Sequence, residues 1–116
     1  YLLMPSSFEP CGLPQMIGAI YGTLPIVHDT GGLHDTVTRI DPPKDQGNGF
    51  LFTVHDPQGL KWAVDQAMAF HSLSSDEREA QVKRIMVQSV LEFNHSRCAQ
   101  DYINLYEKML KRPFLV

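Results

Sequence analysis

Short apolar runs alternate along this chain with polar breaks rich in Gly and Pro, and the spacing of the apolar positions changes from one run to the next. Tyr1–Pro5 is an apolar run halted by Pro5-Ser6-Ser7 and reads as a fully buried strand. After a loop from Ser6 to Gly12, residues Leu13, Met16, Ile17 and Ile20 recur at helical spacing. Pro14 falls in the first turn, where its missing N–H is no loss, and Gly22 ends the helix. Leu24–His28 is a second β-rich run, the pattern of a strand covered on both faces. Asp29-Thr30-Gly31-Gly32 predicts a turn, with a helical turn over Leu33–Val37 behind it, and Asp41–Asn48 reads as a surface loop without periodicity. Phe50–Thr53 predicts a third strand. Asp56-Pro57 then opens a helix whose stripe is Leu60, Ala63, Val64, Ala67 and Met68. Ser74 and Glu77 form a capping box for the next helix, with Val82, Ile85, Met86 and Val90 on its buried face. A last helix begins near Ser96 and is expected to turn Ala99, Tyr102, Ile103, Tyr106 and Leu110 inward.

Strand, helix, strand, turn, strand and three helices make an α/β chain with a parallel sheet of about three strands and flanking and C-terminal helices. That is fewer strands than a doubly wound sheet usually has. The chain also opens on Tyr1-Leu2-Leu3-Met4, already inside an apolar run, and is expected to be a segment of a longer protein.

Composition narrows the function classes. A content of 43% apolar and 20% charged residues excludes a disordered chain. The net charge is −3: residues 1–50 carry two bases against five acids, and residues 51–116 carry eight of each. Without a basic block, nucleic acid and anionic membrane are not expected as partners. The longest apolar stretch, Leu13–Val27, is broken by Pro14, Gly18, Gly22 and Pro25, so no membrane span is expected. Two cysteines away from zinc-ligand spacing form no disulfide framework, and a reducing compartment, the cytoplasm, is the default.

Ligands of an open parallel sheet bind beyond the carboxyl ends of its strands. Two loops there have unusual composition, Ser6–Gly12 and His28–Gly32, each with Gly, small polar groups and one acid. The first runs into a helix, so the backbone N–H groups of Gly12 and Leu13 suit a phosphate. Glu9 by itself reads equally as a helix cap or a solvated acid. Cys11 has no histidine at a suggestive spacing and is expected to be small, buried and useful through its backbone rather than as a nucleophile. Cys98, Tyr102 and Tyr106 are expected in the core. His28 and His34 flank the Thr-Gly-Gly turn and are candidates to touch a ligand, whereas His55, His71 and His95 read as surface or capping residues. Asp29, Asp35 and Asp41 read as turn and cap formers.

Pro5-Ser6-Ser7-Phe8-Glu9-Pro10-Cys11-Gly12-Leu13, followed by Tyr21-Gly22-Thr23-Leu24-Pro25-Ile26-Val27 and by Thr30-Gly31-Gly32-Leu33-His34-Asp35-Thr36-Val37, resembles the bacterial glycogen synthases and plant starch synthases. Phe93, Tyr102 and Tyr106 are similar to the family's closing helix. The resemblance implies a retaining glycosyltransferase of the GT-B type, in which two Rossmann-like halves face a cleft. This chain would be the C-terminal portion of the donor-binding half, with residues 1–55 its strand-and-loop donor part and residues 56–116 its helical part. The implied donor is ADP-glucose, and the acceptor is the non-reducing end of an α-1,4-glucan. The other half of the same protein is the implied partner, and the compartment is the cytoplasm, or the plastid stroma if of plant origin. No metal or other cofactor is implied, and the sequence has no Asp-x-Asp pair to hold a divalent ion.

By position, Glu9 matches the family's carboxylate beside the donor glucose. Cys11, Gly12, Leu13 and Pro14 match the donor-binding segment whose backbone approaches the diphosphate. Pro14 stands where Thr or Asn is commoner and supplies neither hydroxyl nor N–H. Thr30, Gly31 and Gly32 form the candidate donor or acceptor loop. Ile17 occupies the position, eight residues after Glu9, at which other retaining relatives carry a second Glu. Neither loop contains Lys or Arg, so the cations facing the diphosphate, and the contacts that choose the nucleobase, are expected before Tyr1, and the segment alone is expected to be inactive. Two other readings stay open: a non-catalytic glucan- or nucleotide-binding module, and another retaining GT-B transferase.

Overall fold

The computed structural model describes residues 1–113. Three parallel strands, β1 (Leu2–Met4), β2 (Pro25–His28) and β3 (Phe50–Phe52), lie in the order β1-β2-β3. Leu3 is paired with Ile26 and Val27 with Leu51. Five helices accompany them: α1 (Pro14–Ile20), α2 (Gly31–Thr36), α3 (Pro57–His71), α4 (Ser75–Glu92) and α5 (His95–Leu110). The expected α/β architecture with a three-stranded parallel sheet is present.

Alternation along the strands sorts side chains to two faces. Ile26, Phe50 and Phe52 join Ala19, Ala63, Ala67, Phe70 and Ile85 in one cluster, beneath α3 and α4. Val27 joins Leu33 and Val37 in a second cluster beneath α2, with Met4 and Leu51 packed against it. All four residues of β2 are buried, because this strand has a neighbour on each side and helices on both faces. β1 differs from the expectation of full burial: Tyr1 and Leu3 are half exposed, since β1 is an edge strand paired only with β2.

The helix starts follow the expected signals. The Asp56 carboxylate accepts from the Gly59 N–H at 2.6 Å, with Pro57 at the first helical position of α3. The Ser74–Glu77 capping box opens α4. Gly31 and Gly32, expected in a turn, are instead the first residues of α2.

Several inward faces are corrected. On α3 the buried positions are Ala63, Ala67 and Phe70, while Met68 is exposed. On α4 they are Gln81, Ile85 and Ser89, with Met86 and Val90 at the surface. For Gln81 the cause is the 41–48 segment, which contains a 3-10 turn at Pro42–Lys44 and is bonded by α4. Its polar groups need donors, and α4 supplies them: Gln81 Nε2 bonds Asp45 Oδ1 at 2.5 Å, and Arg84 donates to the Gly47 carbonyl at 2.8 Å. Burial there lowers the pKa of Arg84, opposed by the charge of Asp45.

Helix α5 buries no residue at all. Tyr102, Tyr106 and Leu110 are exposed, and Cys98 lies at the surface rather than in the core. The radius of gyration, 16.3 Å, exceeds the ~13 Å of a compact chain of this length because α5 extends from the body. Among the described residues, no helix is long and apolar enough to cross a membrane.

Candidate functional site

Because the three strands are parallel, their carboxyl ends share one edge of the sheet, and the segments leaving them meet there. Four contacts tie these segments together. His28, the last residue of β2, donates from Nδ1 to the Ser6 carbonyl at 2.8 Å. His55, beyond β3, donates from Nε2 to the Pro5 carbonyl at 3.0 Å, and the two imidazoles lie 4.6 Å apart. The Asp29 N–H reaches the Phe52 carbonyl at 2.9 Å, and the Gly32 N–H reaches the Glu9 carbonyl at 2.9 Å. Since a carbonyl only accepts, each imidazole carries its proton on the nitrogen named. Both histidines therefore hold the loop that precedes Glu9. His34 instead faces outward and pairs with Asp29 at 2.7 Å. That hydrogen bond, and then the Asp29 charge, raises the pKa of His34.

The glycines bring the two loops into backbone contact. A Cβ on Gly32 would stand 2.1 Å from the Cys11 carbonyl oxygen, and one on Gly31 would stand 2.0 Å from that of Glu9. Gly31 also has φ +48°, in the left-handed region. The N-terminus of α2 is thus seated on the Glu9–Cys11 backbone, with Glu9 satisfying one of its otherwise open N–H groups. Thr30, at the N-cap of α2, is extended and makes no side-chain cap.

These contacts assemble the candidate residues. Glu9 is half buried, with its main chain fixed by Gly31 and Gly32. Gly12 has φ +73°, and the chain turns there into α1, which has Pro14 at its first position. Cys11 is exposed, which corrects the expectation of a buried residue; its carbonyl accepts from Gln15 Nε2 at 3.2 Å. Leu13 and Ile17 are also exposed, so the apolar stripe of α1 faces away from the core. Gln15 takes the buried face instead.

Sequence reasoning passed over Gln15, as well as the part His28 and His55 play in holding the loop. One available signal for Gln15 was its place off the Leu13-Met16-Ile17-Ile20 stripe, three residues after Gly12. Among the described residues, no group of three or more His, Cys, Asp and Glu is arranged to hold a metal ion.

No family model matches the chain. It is 42% identical over 111 residues to the glycogen synthase of Lactococcus lactis subsp. lactis, a match covering 94% of this chain and 22% of that protein. It is 41% identical over 111 residues to the glycogen synthase of Thermotoga petrophila, covering 95% of this chain and 22% of that protein. Among solved structures, it is similar to the catalytic domain of starch synthase IV from Arabidopsis thaliana bound to ADP and acarbose. That likeness has a TM-score of 0.78 and 36% identity, covering 96% of this chain and 23% of the other. The chain therefore spans less than a quarter of the length of the curated relatives it matches. The resemblance read from the motifs holds: nearly the whole chain is similar to the C-terminal portion of glycogen and starch synthases.

Proposed function

We propose that this chain is the donor-side segment of a glucan-elongating glycosyltransferase. It would transfer glucose from ADP-glucose to the non-reducing end of an α-1,4-glucan, with retention at the anomeric carbon. The observation that carries the reading is the Glu9–Leu13 loop, clamped by Gly31 and Gly32 at the strand ends, in a chain similar throughout to a starch synthase domain that binds ADP and acarbose. The sheet order supports it. Strands added one after another on the same side make one wing of a doubly wound sheet, and the ligand crevice of such a sheet lies where the winding reverses, beside the first strand of the wing. That strand is β1, whose loop carries Glu9.

In this reading the Glu9 carboxylate bonds the donor sugar's hydroxyls and opposes the positive charge that develops at the anomeric carbon. The turn at Cys11, Gly12, Leu13 and Pro14 presents backbone to the diphosphate, with Pro14 contributing no N–H. Thr30, Gly31 and Gly32 form the loop that faces donor or acceptor, and Gly31 and Gly32 also hold the Glu9 backbone. The diphosphate charge is met by cations of the rest of the protein rather than by a metal, as the resemblance implies. The other half of the enzyme closes over this edge and supplies the acceptor site.

The test is Glu9→Gln in the full-length enzyme. Removing a charge that faces the transition state costs about 3 kcal/mol, or roughly 10²-fold in kcat, with donor KM little changed. Retention of most of the wild-type kcat overturns the reading.

A further inference from the structure

Gln15 is the only residue of α1 besides Ala19 that is buried, and its side chain is 1% exposed in a helix of seven residues. A buried amide must find partners, and this one finds them in both strand-end loops. The two hydrogens of its Nε2 are shared among three acceptors, the Gly12 carbonyl at 2.8 Å, the Cys11 carbonyl at 3.2 Å and Thr36 Oγ1 at 3.1 Å. Thr36 donates in turn to the Gly32 carbonyl at 2.6 Å. The other end of the amide, Oε1, is buried with no partner among the described residues. It lies against Gly12, where a Cβ would stand 2.7 Å from it. An oxygen so placed leaves no room for a side chain at residue 12, whose φ of +73° already disfavours one.

The direction of these bonds has a consequence for the turn. In a trans peptide the N–H points opposite to the C=O of the same unit, and no peptide bond among the described residues is cis. Drawing the carbonyls of Cys11 and Gly12 inward onto a buried amide therefore turns the N–H groups of Gly12 and Leu13 outward. Neither N–H is engaged by another group among the described residues. Cys11 and Leu13 are both exposed, so the turn lies at the surface.

We propose that Gln15 is a positioning residue that aims the Gly12 and Leu13 N–H groups at the diphosphate of the sugar donor, with Thr36 holding the amide in register. The proposal rests on the donor-site reading above and adds to it a residue that does not touch the ligand. Its signature is selective: removing the amide weakens recognition of a nucleoside diphosphate more than that of the monophosphate, because the nucleoside and first phosphate keep their other contacts.

Calorimetric titration of the full-length enzyme with ADP and with AMP tests this, since the dissociation constant reports the site while the stoichiometry reports the folded fraction. Gln15→Met is expected to weaken ADP by about 10- to 100-fold, the worth of one hydrogen bond to a charged group, and AMP by less than about threefold. Thr36→Val is expected to weaken ADP several-fold, with Thr36→Ser restoring wild-type affinity. This hydroxyl pair carries the test if Gln15→Met does not fold. Lower stoichiometry with unchanged ADP affinity, or equal losses for ADP and AMP, overturns the proposal and leaves the donor-site reading intact. Wild-type enzyme that binds ADP no better than AMP overturns the positioning role together with the diphosphate site it serves.

Discussion

Gly32→Ala tests how much the candidate site depends on backbone contact between its two loops. The added Cβ would lie 2.1 Å from the Cys11 carbonyl oxygen and 2.5 Å from its Cα, where ordinary contact begins at 3.4 Å. The two loops must therefore part by about 1.3 Å, and both atoms in the way are main chain, which cannot swing aside as a side-chain tip can. Parting weakens the Gly32 N–H bond to Glu9, worth about 1 kcal/mol. Overpacking adds roughly 1–3 kcal/mol, for a total loss of stability near 2–4 kcal/mol. The larger effect falls on catalysis, since a displacement of about 1 Å in a reacting group lowers the rate about 10²-fold. The assay is kcat for glucan elongation by the full-length variant, with its melting temperature measured alongside. Gly18→Ala is the control: its Cβ meets the Thr23 carbonyl at 3.1 Å, in a helix where Ala is favoured over Gly by about 1 kcal/mol. It should leave kcat unchanged. If Gly32→Ala keeps kcat within about twofold of wild type, the close approach of the loops is not what positions Glu9.

Two further outcomes follow from the electrostatics and the caps. The hydrogen bond to Asp29 raises the pKa of His34 above its ordinary 6.5, so their charged pair holds fully below 6.5 and fades as pH rises through the raised value; an imidazole NMR titration should show the high value, and Asp29→Asn should bring it back toward 6.5. Ser74→Ala should destabilise the fold by about 1 kcal/mol in thermal melting through loss of the α4 cap. In the same variant Glu77, held below its usual range by the Ser74 hydroxyl and then by the Ser74 N–H, should titrate normally, because both bonds depend on the box closing.

The elements with strong local signals were legible in the sequence: β2 from its unbroken apolar run, α3 from Asp56-Pro57, α4 from its capping box. The faces of the helices were less so, because periodicity shows that a stripe exists but not which neighbour covers it. On α4, Gln81 is buried where it donates to the 41–48 segment, while Met86 and Val90 lie at the surface. On α5 the stripe is real but meets nothing in the described residues to bury it. At the candidate site, Glu9 and the Gly31-Gly32 pair could be found from their motifs. The loop-holding roles of His28 and His55 could not, since each bonds a carbonyl that the fold brings near: His28 and Ser6 are 22 residues apart, and His55 and Pro5 fifty.

The surfaces the chain leaves open are grouped around the site rather than scattered. Leu3 is half exposed on β1, the edge strand whose loop holds Glu9. Leu13, Met16, Ile17 and Ile20 of α1 form, with Phe93, Tyr102 and Leu105, an apolar groove of about 840 Å³ directly behind the same loop. A helix such as α5, with no buried residue, gains little stability from propensity alone and depends on packing for the rest. Contiguous apolar surface of this kind marks an interface. On the proposed function, both surfaces would meet the rest of the protein, with Glu9 beside that contact. On that reading such a location suits a transfer reaction: a donor held at a boundary can present its anomeric carbon to an acceptor carried by the other half, while the Glu9 main chain is held by the Gly32 N–H.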